Sequence, residues 1–312
     1  MHAYRQPEDR YCYTLWQAHA PIAAVTPGEV FRVHTIDAFH DALEADTDLP
    51  SEHTPGYPYV NPLTGPFQVT GARAGDTLEV TIHEVVPARE FAVTALVKDF
   101  GALTRTPATA LLHEPLPERT RILPIREGRV HFNQQLSCPL KPFIGTLGVA
   151  TALEAVSSLR PGVWGGNLDC PVLAPGARVR LPVFVDGARL FVGDAHACQG
   201  EGELSGVAAE MPAVLTLSVQ IRRGETTATP RVLDATHLHS LGCARPLEDA
   251  ARIAAHDLTH WLATDYAMDK LDAYMWLGLC GELRAGNLVD PNYTMMASIQ
   301  RDLLPGGSNP AL

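Results

Sequence analysis

Basic clusters are what this chain most conspicuously lacks. No run of Lys or Arg longer than a residue or two occurs, and 24 basic residues face 35 acidic ones, a formal charge of −11. Such a surface cannot attract a polyphosphate backbone or an anionic bilayer, so nucleic-acid and membrane partners are not expected. No apolar run approaches the roughly 20 residues a membrane helix needs, and residues 1–10, MHAYRQPEDR, have none of a signal peptide's apolar core. A soluble, cytoplasmic protein is expected. The six cysteines, at 12, 138, 170, 198, 243 and 280, form no C-x-x-C pair, which argues against a zinc ribbon or a thioredoxin-type site and for reduced thiols. Several nucleophile systems are also missing. There is no G-x-S-x-G elbow, no Gly-rich Ser-Ser-Gly loop with an upstream Lys, no P-loop and no G-x-G-x-x-G after a strand.

What the chain does have is the material for a large core. Apolar residues make up 46% of 312 and charged residues 19%, enough for two domains or one body with an appendage. A glycine turn followed by an alternating strand recurs as PGEVFRV (27–33), AGDTLEV (74–80), PGARVRL (175–181) and DGARLFV (186–192). The irregular spacing excludes a solenoid or propeller. With 25 Pro and 25 Gly spread throughout, the pattern predicts a mainly β body, sandwich- or barrel-like, over residues 1–210, with two β subdomains splitting near 100–140 as one arrangement. In residues 30–37, Phe31, Val33, Thr35 and Asp37 share one strand face, so Asp37 either caps the following turn or enters a polar site. Residues 41–59 read as a loop or lid, 101–127 as a strand-loop excursion, and 150–159 are too short to require a helix. After residue 211 the character changes to α+β. The sequence predicts a strand over 213–221, an amphipathic helix over 247–263 with Ala254, Leu258, Trp261 and Leu262 on one stripe, and a second helix over 270–280, capped by Asp269 and closed by Gly281.

The chemistry concentrates in residues 191–204, FVGDAHACQGEGEL. On an extended strand Asp194 and His196 point the same way, and Glu201 and Glu203 do so on a returning strand. Three carboxylates and an imidazole on one face call for a cation or a proton relay; otherwise they are a solvated polar loop. His256 and His260 stand at i and i+4, but Asp257 replaces the Glu a metalloprotease helix requires, and the pair lies off the apolar stripe, as on a solvated face. His237 and His239 share a strand face between turn-like segments, and no partner acids are expected for them.

Five stretches in register go beyond composition: NPLTGPFQVTGARAGDTLEV (61–80), PFIGTLGV (142–149), PGVWGGNLD (161–169), LPVFVDGA (181–188) and VGDAHACQGEGE (192–203). In this order they resemble the acetamidase/formamidase family, over residues 25–210 in motifs and more loosely to the chain's end. The resemblance implies a mostly β amidohydrolase with a C-terminal α+β portion, acting on short aliphatic carboxamides, with metal ions associated. Two departures stand beside the presumed site. Glu201 replaces the family's usual Asp, and Cys170-Pro171 follow Asp169 where a polar or basic residue is common; the preferred amide can therefore differ from acetamide or formamide.

Residue chemistry then suggests the roles. Asp37, Asp169 and His196, with Asp194 beside them, are expected to hold a divalent metal, Zn²⁺ first and Ca²⁺ at a second site, leaving a position for water. Glu203 is expected to act as general acid/base, with Asp194 or Glu201 orienting His196 or ligating a second ion. The N–H groups of Gly165 and Gly166 and the Asn167 amide would meet the oxyanion or the substrate amide, and Trp164 and Phe143 would wall a small acyl pocket. A small amide substrate and a homodimer or larger homo-oligomer complete the expectation. Two alternatives remain open at this point. One is a β-rich cation- or carbohydrate-binding protein without catalysis. The other is a cysteine-nucleophile amidase using Cys170 or Cys198.

Overall fold

The computed structural model describes residues 1–104 and 116–306. Residues 105–115 of the expected 101–127 excursion lie outside the described residues. The alternating sequence pattern is realised as two large sheets. The first has nine strands in the order His2–Arg5, Val30–Thr35, Ala213–Arg222, Thr77–Pro87, Arg178–Pro182, Arg231–Leu233, His237–Ala244, Tyr293–Gln300 and Glu282–Asn287. The second, of ten strands, is centred on Leu190–His196, which pairs with Phe143–Val149 on one side and with Leu63–Val69 and Glu210–Met211 on the other. Period-2 alternation is visible where one face is buried: in Val30–Thr35, Phe31, Val33 and Thr35 are inside. Leu190–His196 is buried at every position, as expected of a strand with neighbours on both edges and both faces covered.

Inward side chains from the two sheets join in one core cluster, Phe31, Val33 and Val80 from the first with Ile144, Leu147 and Val192 from the second. The strand after residue 211 lies within the first sheet, between Val30–Thr35 and Thr77–Pro87. Residues 91–139 contribute Phe91–Leu96, Arg119–Arg126, Arg129–His131 and Ser137–Pro139 to the second sheet. The turn glycine of AGDTLEV, Gly75, has φ +94°, a left-handed conformation that Gly adopts without a Cβ clash. The protein is mainly β, with its two longer helices toward the C-terminus.

Those two are α2 (Leu247–Asp265) and α3 (Lys270–Cys280); the single turn α1 (Pro50–His53) stands before Leu63–Val69. The α2 stripe Ala254, Leu258, Trp261 and Leu262 is buried against Leu238 and Ile299 of the first sheet. Asp269 caps α3, accepting from the N–H groups of Leu271 and Asp272. His256 and His260 face solvent, whereas Asp257 between them is buried. Its carboxylate takes two parallel bonds from Arg231, 2.8 and 2.9 Å, and one from Ser240 at 2.7 Å. His239 acquires an acid that sequence spacing concealed: its Nε2 lies 3.0 Å from Asp234 Oδ2 and its Nδ1 2.7 Å from Ser298 Oγ. That histidine is a satisfied core residue. No helix among the described residues is long and apolar enough to cross a membrane.

The Arg231–Asp257 pair ties α2 to the sheet, and this leads to a first prediction. Asp257→Ala strands the Arg231 guanidinium in a dry interior. The expected cost is about 3–5 kcal/mol of unfolding free energy, read as a lowered denaturant midpoint with an unchanged m-value.

Candidate active site and cation centre

Strand register assembles the site. His196 on the central strand is paired directly with Glu210, and Thr146 on the adjacent strand with Asn167. The 200–206 turn, which carries Glu203, docks on the end of Glu282–Asn287: the Gly202 N–H reaches the Ala285 and Gly286 carbonyls, and Leu288 N–H reaches the Gly202 carbonyl. That same chain segment supplies Asn287 and Asp290. Five carboxylates (Asp169, Asp194, Glu203, Glu210 and Asp290) and one imidazole thus converge, all buried. Three groups among them, Asp169/Asp194/His196, His196/Glu203/Glu210 and Asp169/Glu203/Asp290, offer ligand atoms within 4.8 Å of one another.

The hydrogen bonds orient the side chains without ambiguity. Gln199 donates its Nε2 to the carbonyls of Asp169 and Gly286, 2.8 and 3.0 Å. Its Oε1 must then accept from His196 Nδ1, 2.9 Å away, which fixes the proton on Nδ1 and directs Nε2 into the cluster. Nε2 lies 3.1 Å from Asp194 Oδ1 and 3.2 Å from Glu210 Oε2. Asn167 donates to Asp169 Oδ2 and Asp290 Oδ2, both at 2.8 Å. Its Oδ1 therefore faces the donors Thr146 Oγ1 and Asn61 Nδ2, the latter at 2.7 Å. Asn61 is in turn left with a buried, unpartnered Oδ1.

Electrostatics follow from this crowding. Burial pushes the carboxyls of Asp169 and Glu203 well above the usual range, with neighbouring carboxylates pushing the same way. Burial likewise raises Asp290 to about 7 and Glu210 to about 8. Burial opposes ionisation of Asp194 as well, but His196 and its hydrogen bonds outweigh this and hold its carboxyl below the usual value. Burial would depress His196, yet Glu210 and Asp194 outweigh it and hold the imidazole well above its ordinary value.

Backbone conformation marks the same residues. Asp169, Asp194 and Glu203 have φ of +45°, +54° and +49°, a left-handed region that costs a non-glycine residue about 1 kcal/mol or more and persists where surrounding structure imposes it. Gly145 completes the cradle: a Cβ there would come within 2.7 Å of Asp169 Oδ1, the Asp194 carbonyl and Asp194 Oδ2.

A divalent cation fits these residues. Asp169 Oδ1 is buried without a hydrogen-bond partner, an unfavourable state for a carboxylate oxygen unless a proton or a metal meets it. Carboxylates with one imidazole nitrogen form a donor set for a first-row divalent ion, whereas the Asp169/Glu203/Asp290 group is all-oxygen.

A cavity of about 520 Å³ opens onto this cluster; Asn61, Asn167, Asp194, Glu203, Glu210 and Asp290 line it. Pro50, Ser51, Thr54, Gly56, Tyr57 and Val60, from the loop anticipated as a lid or just after it, line another part.

Several expected residues stand elsewhere. Asp37 is not brought to the cluster. Its Oδ1 accepts from the N–H groups of Phe39 and Asp41 and its Oδ2 from Arg89 at 2.6 Å, so it caps the turn after its strand. Glu201 is half-exposed and paired with Arg284. The stretch after Gly200 is a turn and not a returning strand, which separates Glu201 from Glu203. Gly165 and Gly166 pair with Gly148 and Leu147, and the Gly165 N–H is taken by the Gly162 carbonyl. Neither glycine lines the cavity. Trp164 leans on Arg160, bonding its carbonyl through Nε1. Phe143 is fully buried and meets the site edge-on against the His196 ring, centroids 4.9 Å apart. Both amide donors of Asn167 are committed to carboxylates, so it orients Asp169 and Asp290. Cys170 is buried, its thiol pushed well up by burial. Cys198, raised to about 12 by burial and Cys138, lies 3.3 Å from Cys138 Sγ. Neither thiol lines the cavity, and a cysteine nucleophile is not favoured. Glu210, Asp290, Asn61, Thr146 and Gln199 are the site residues that sequence reasoning missed.

The sequence model of the Acetamidase/Formamidase family matches residues 4–160 and 95–238. A formamidase of Methylophilus methylotrophus is 26% identical over 261 residues, 68% of this chain and 64% of its own length. The chain spans just under two thirds of the length of the curated relatives it matches, 64–65%. Among solved structures, an acetamidase from Yersinia enterocolitica superposes with a TM-score of 0.91 at 39% identity, over 96% of this chain and 92% of that one. An acetamidase from Bacillus halodurans gives 0.87 at 31% identity, over 95% and 97%.

Proposed function

The chain belongs to the acetamidase/formamidase family, and from that premise we propose that it hydrolyses a primary carboxamide, R–CO–NH₂ + H₂O → R–COO⁻ + NH₄⁺. The single observation that carries this reading is a buried cluster of carboxylates and one imidazole, with an unpartnered oxygen on Asp169, of which Asp194, Glu203, Glu210 and Asp290 line a cavity large enough for an organic substrate. A non-catalytic cation-binding role would leave that cavity, and the unpartnered Asn61 acceptor in its wall, without purpose.

His196 through Nε2, Asp169 and Asp194 would hold a divalent cation, Zn²⁺ by its mixed nitrogen and oxygen donors, with Glu203 outside that ligand set. Such an ion supplies Lewis-acid polarisation of a carbonyl and lowers the pKa of water to about 7. The remaining work belongs to the protein. Gln199 keeps the His196 proton on Nδ1. Asn167 and Asn287 restrain Asp169. Glu203 lines the cavity, where its carboxylate would take a proton from attacking water and return it to the leaving nitrogen. Asn61 Oδ1, turned away from its own network, accepts from the substrate's N–H₂ and holds the amide for attack.

The direct test is ammonia and carboxylate release from acetamide, propionamide and larger amides by the purified protein, alongside elemental analysis. Amides left intact by metal-replete protein would refute the reading. Asn61→Ala is expected to lower kcat/KM by about tenfold, the value of one buried hydrogen bond in the reacting complex. An unchanged kcat/KM in a folded variant would remove Asn61 from substrate binding.

A further inference from the structure

We propose that the preferred acyl group is bulky and apolar, of about six to eight carbons, and that acetamide is a poor fit; this rests on the amidohydrolase reading above. The cavity measures about 520 Å³. A liquid water occupies roughly 30 Å³, so an amide of four heavy atoms fills about a quarter of that space. Sites of this size ordinarily enclose a much larger molecule.

The lining is segregated by chemistry. Asn61, Asp194, Glu203 and Glu210 form the reacting end. Away from it the wall is mainly apolar, with Phe39, Val60, Val97, Phe100, Leu159 and Val207, and carries Ser51, Thr54 and Glu118 on the side of the 50–57 segment. An acetyl methyl could touch only one or two of these, leaving the others in contact with water in the complex.

The apolar wall is also preformed. Phe39 and Val207 belong to a buried cluster with Leu43, Val93 and Ala95, and Val97 packs against it. The wall is thus backed by a second layer and cannot fold inward around a small ligand. Phe100 is seated on Gly206, where a Cβ would come within 2.6 Å of its ring. The Gly206 N–H bonds the Glu203 carbonyl at 2.8 Å, so this aromatic wall is built onto the turn that presents the proposed base. Lys98 and Asp99, of opposite sign and exposed, are the charged neighbours of Phe100 on the lining. Glu118, the third charged residue of this part of the lining, is engaged by Ser51 Oγ at 2.5 Å, and the acidic residues here and at the reacting end disfavour an anionic acyl group.

Each methylene moved from water into such a wall is worth about fourfold. An acyl chain four carbons longer than acetyl should therefore gain about 250-fold in kcat/KM if the wall is used in the transition state. The test measures ammonia release from acetamide, hexanamide and phenylacetamide by the wild-type protein and by Phe100→Ala and Val207→Phe. The expected result is a preference of about 250-fold for hexanamide over acetamide, with phenylacetamide likewise preferred. That ratio should fall at least tenfold in Phe100→Ala, which removes wall, and in Val207→Phe, which fills the cavity. Acetamide turned over as efficiently as the larger amides would overturn this inference while leaving amide hydrolysis standing. Release from none of the three would overturn the hydrolase reading instead. A large-amide preference that both folded variants preserve would overturn the assignment of the acyl group to this cavity.

Discussion

Glu203→Gln is expected to lower kcat by about 10²–10⁴-fold while the bound metal content stays at the wild-type level. The substitution keeps the side chain's size and its buried position but removes the only property the proposed chemistry asks of it, the capacity to take up and release a proton. Glu203 is suited to that role in two ways. It lines the cavity. It is held at φ +49° on a turn anchored to residues 285–288, so its approach to substrate is set by main chain. Loss of metal together with loss of turnover would make Glu203 a ligand, and unchanged turnover would place the proton relay elsewhere.

The second large effect comes from a residue with no side chain. Gly145→Ala introduces a methyl group 2.7 Å from Asp169 Oδ1, from Asp194 Oδ2 and from the Asp194 carbonyl. The two carboxylates can swing, but the carbonyl belongs to a central strand and cannot. Overpacking of this kind costs about 1–3 kcal/mol of stability. The functional loss should be greater, because displacing ligand oxygens by even 1 Å costs about a hundredfold in rate. Expected are a folded protein by circular dichroism, metal content well below wild type and kcat/KM reduced at least about a hundredfold. Full metal content with full activity would mean that Asp169 and Asp194 do not act together.

What local sequence could reveal here was the arrangement within single elements. Alternation located Val30–Thr35 and Ala213–Arg222, the three- and four-residue stripe located α2, and Asp269 with Gly281 bounded α3. It also put Asp194 and His196 on one strand face, since that depends only on the two-residue repeat. Pairing between distant segments was not legible. Glu210 reaches His196 because a two-residue strand pairs with the end of the central one across a long loop, and no local pattern encodes that register. Asp290 sits between two strands at the edge of the other sheet, in the portion read as a separate α+β unit. The signal for Asn61 was at hand, since it heads the 61–80 motif. Only the orientation of Asn167 and Thr146, however, gives its Oδ1 a meaning. Asp37 and Glu201 failed as site residues for a shared reason: their partners, Arg89 and Arg284, lie 52 and 83 residues away in sequence. An acid that reads as unpaired in sequence is claimed in three dimensions by an arginine.

The central claim, a buried cation centre that serves amide hydrolysis, is tested most directly by removing and restoring the metal. The purified protein would be stripped with a chelator, dialysed and titrated with Zn²⁺ while ammonia release from hexanamide is followed. Predicted is near-complete loss on stripping and recovery that saturates at a stoichiometric addition, with a His196→Ala variant recovering little at the same loading. Turnover undiminished in fully stripped protein, or recovery in His196→Ala equal to wild type, would contradict it.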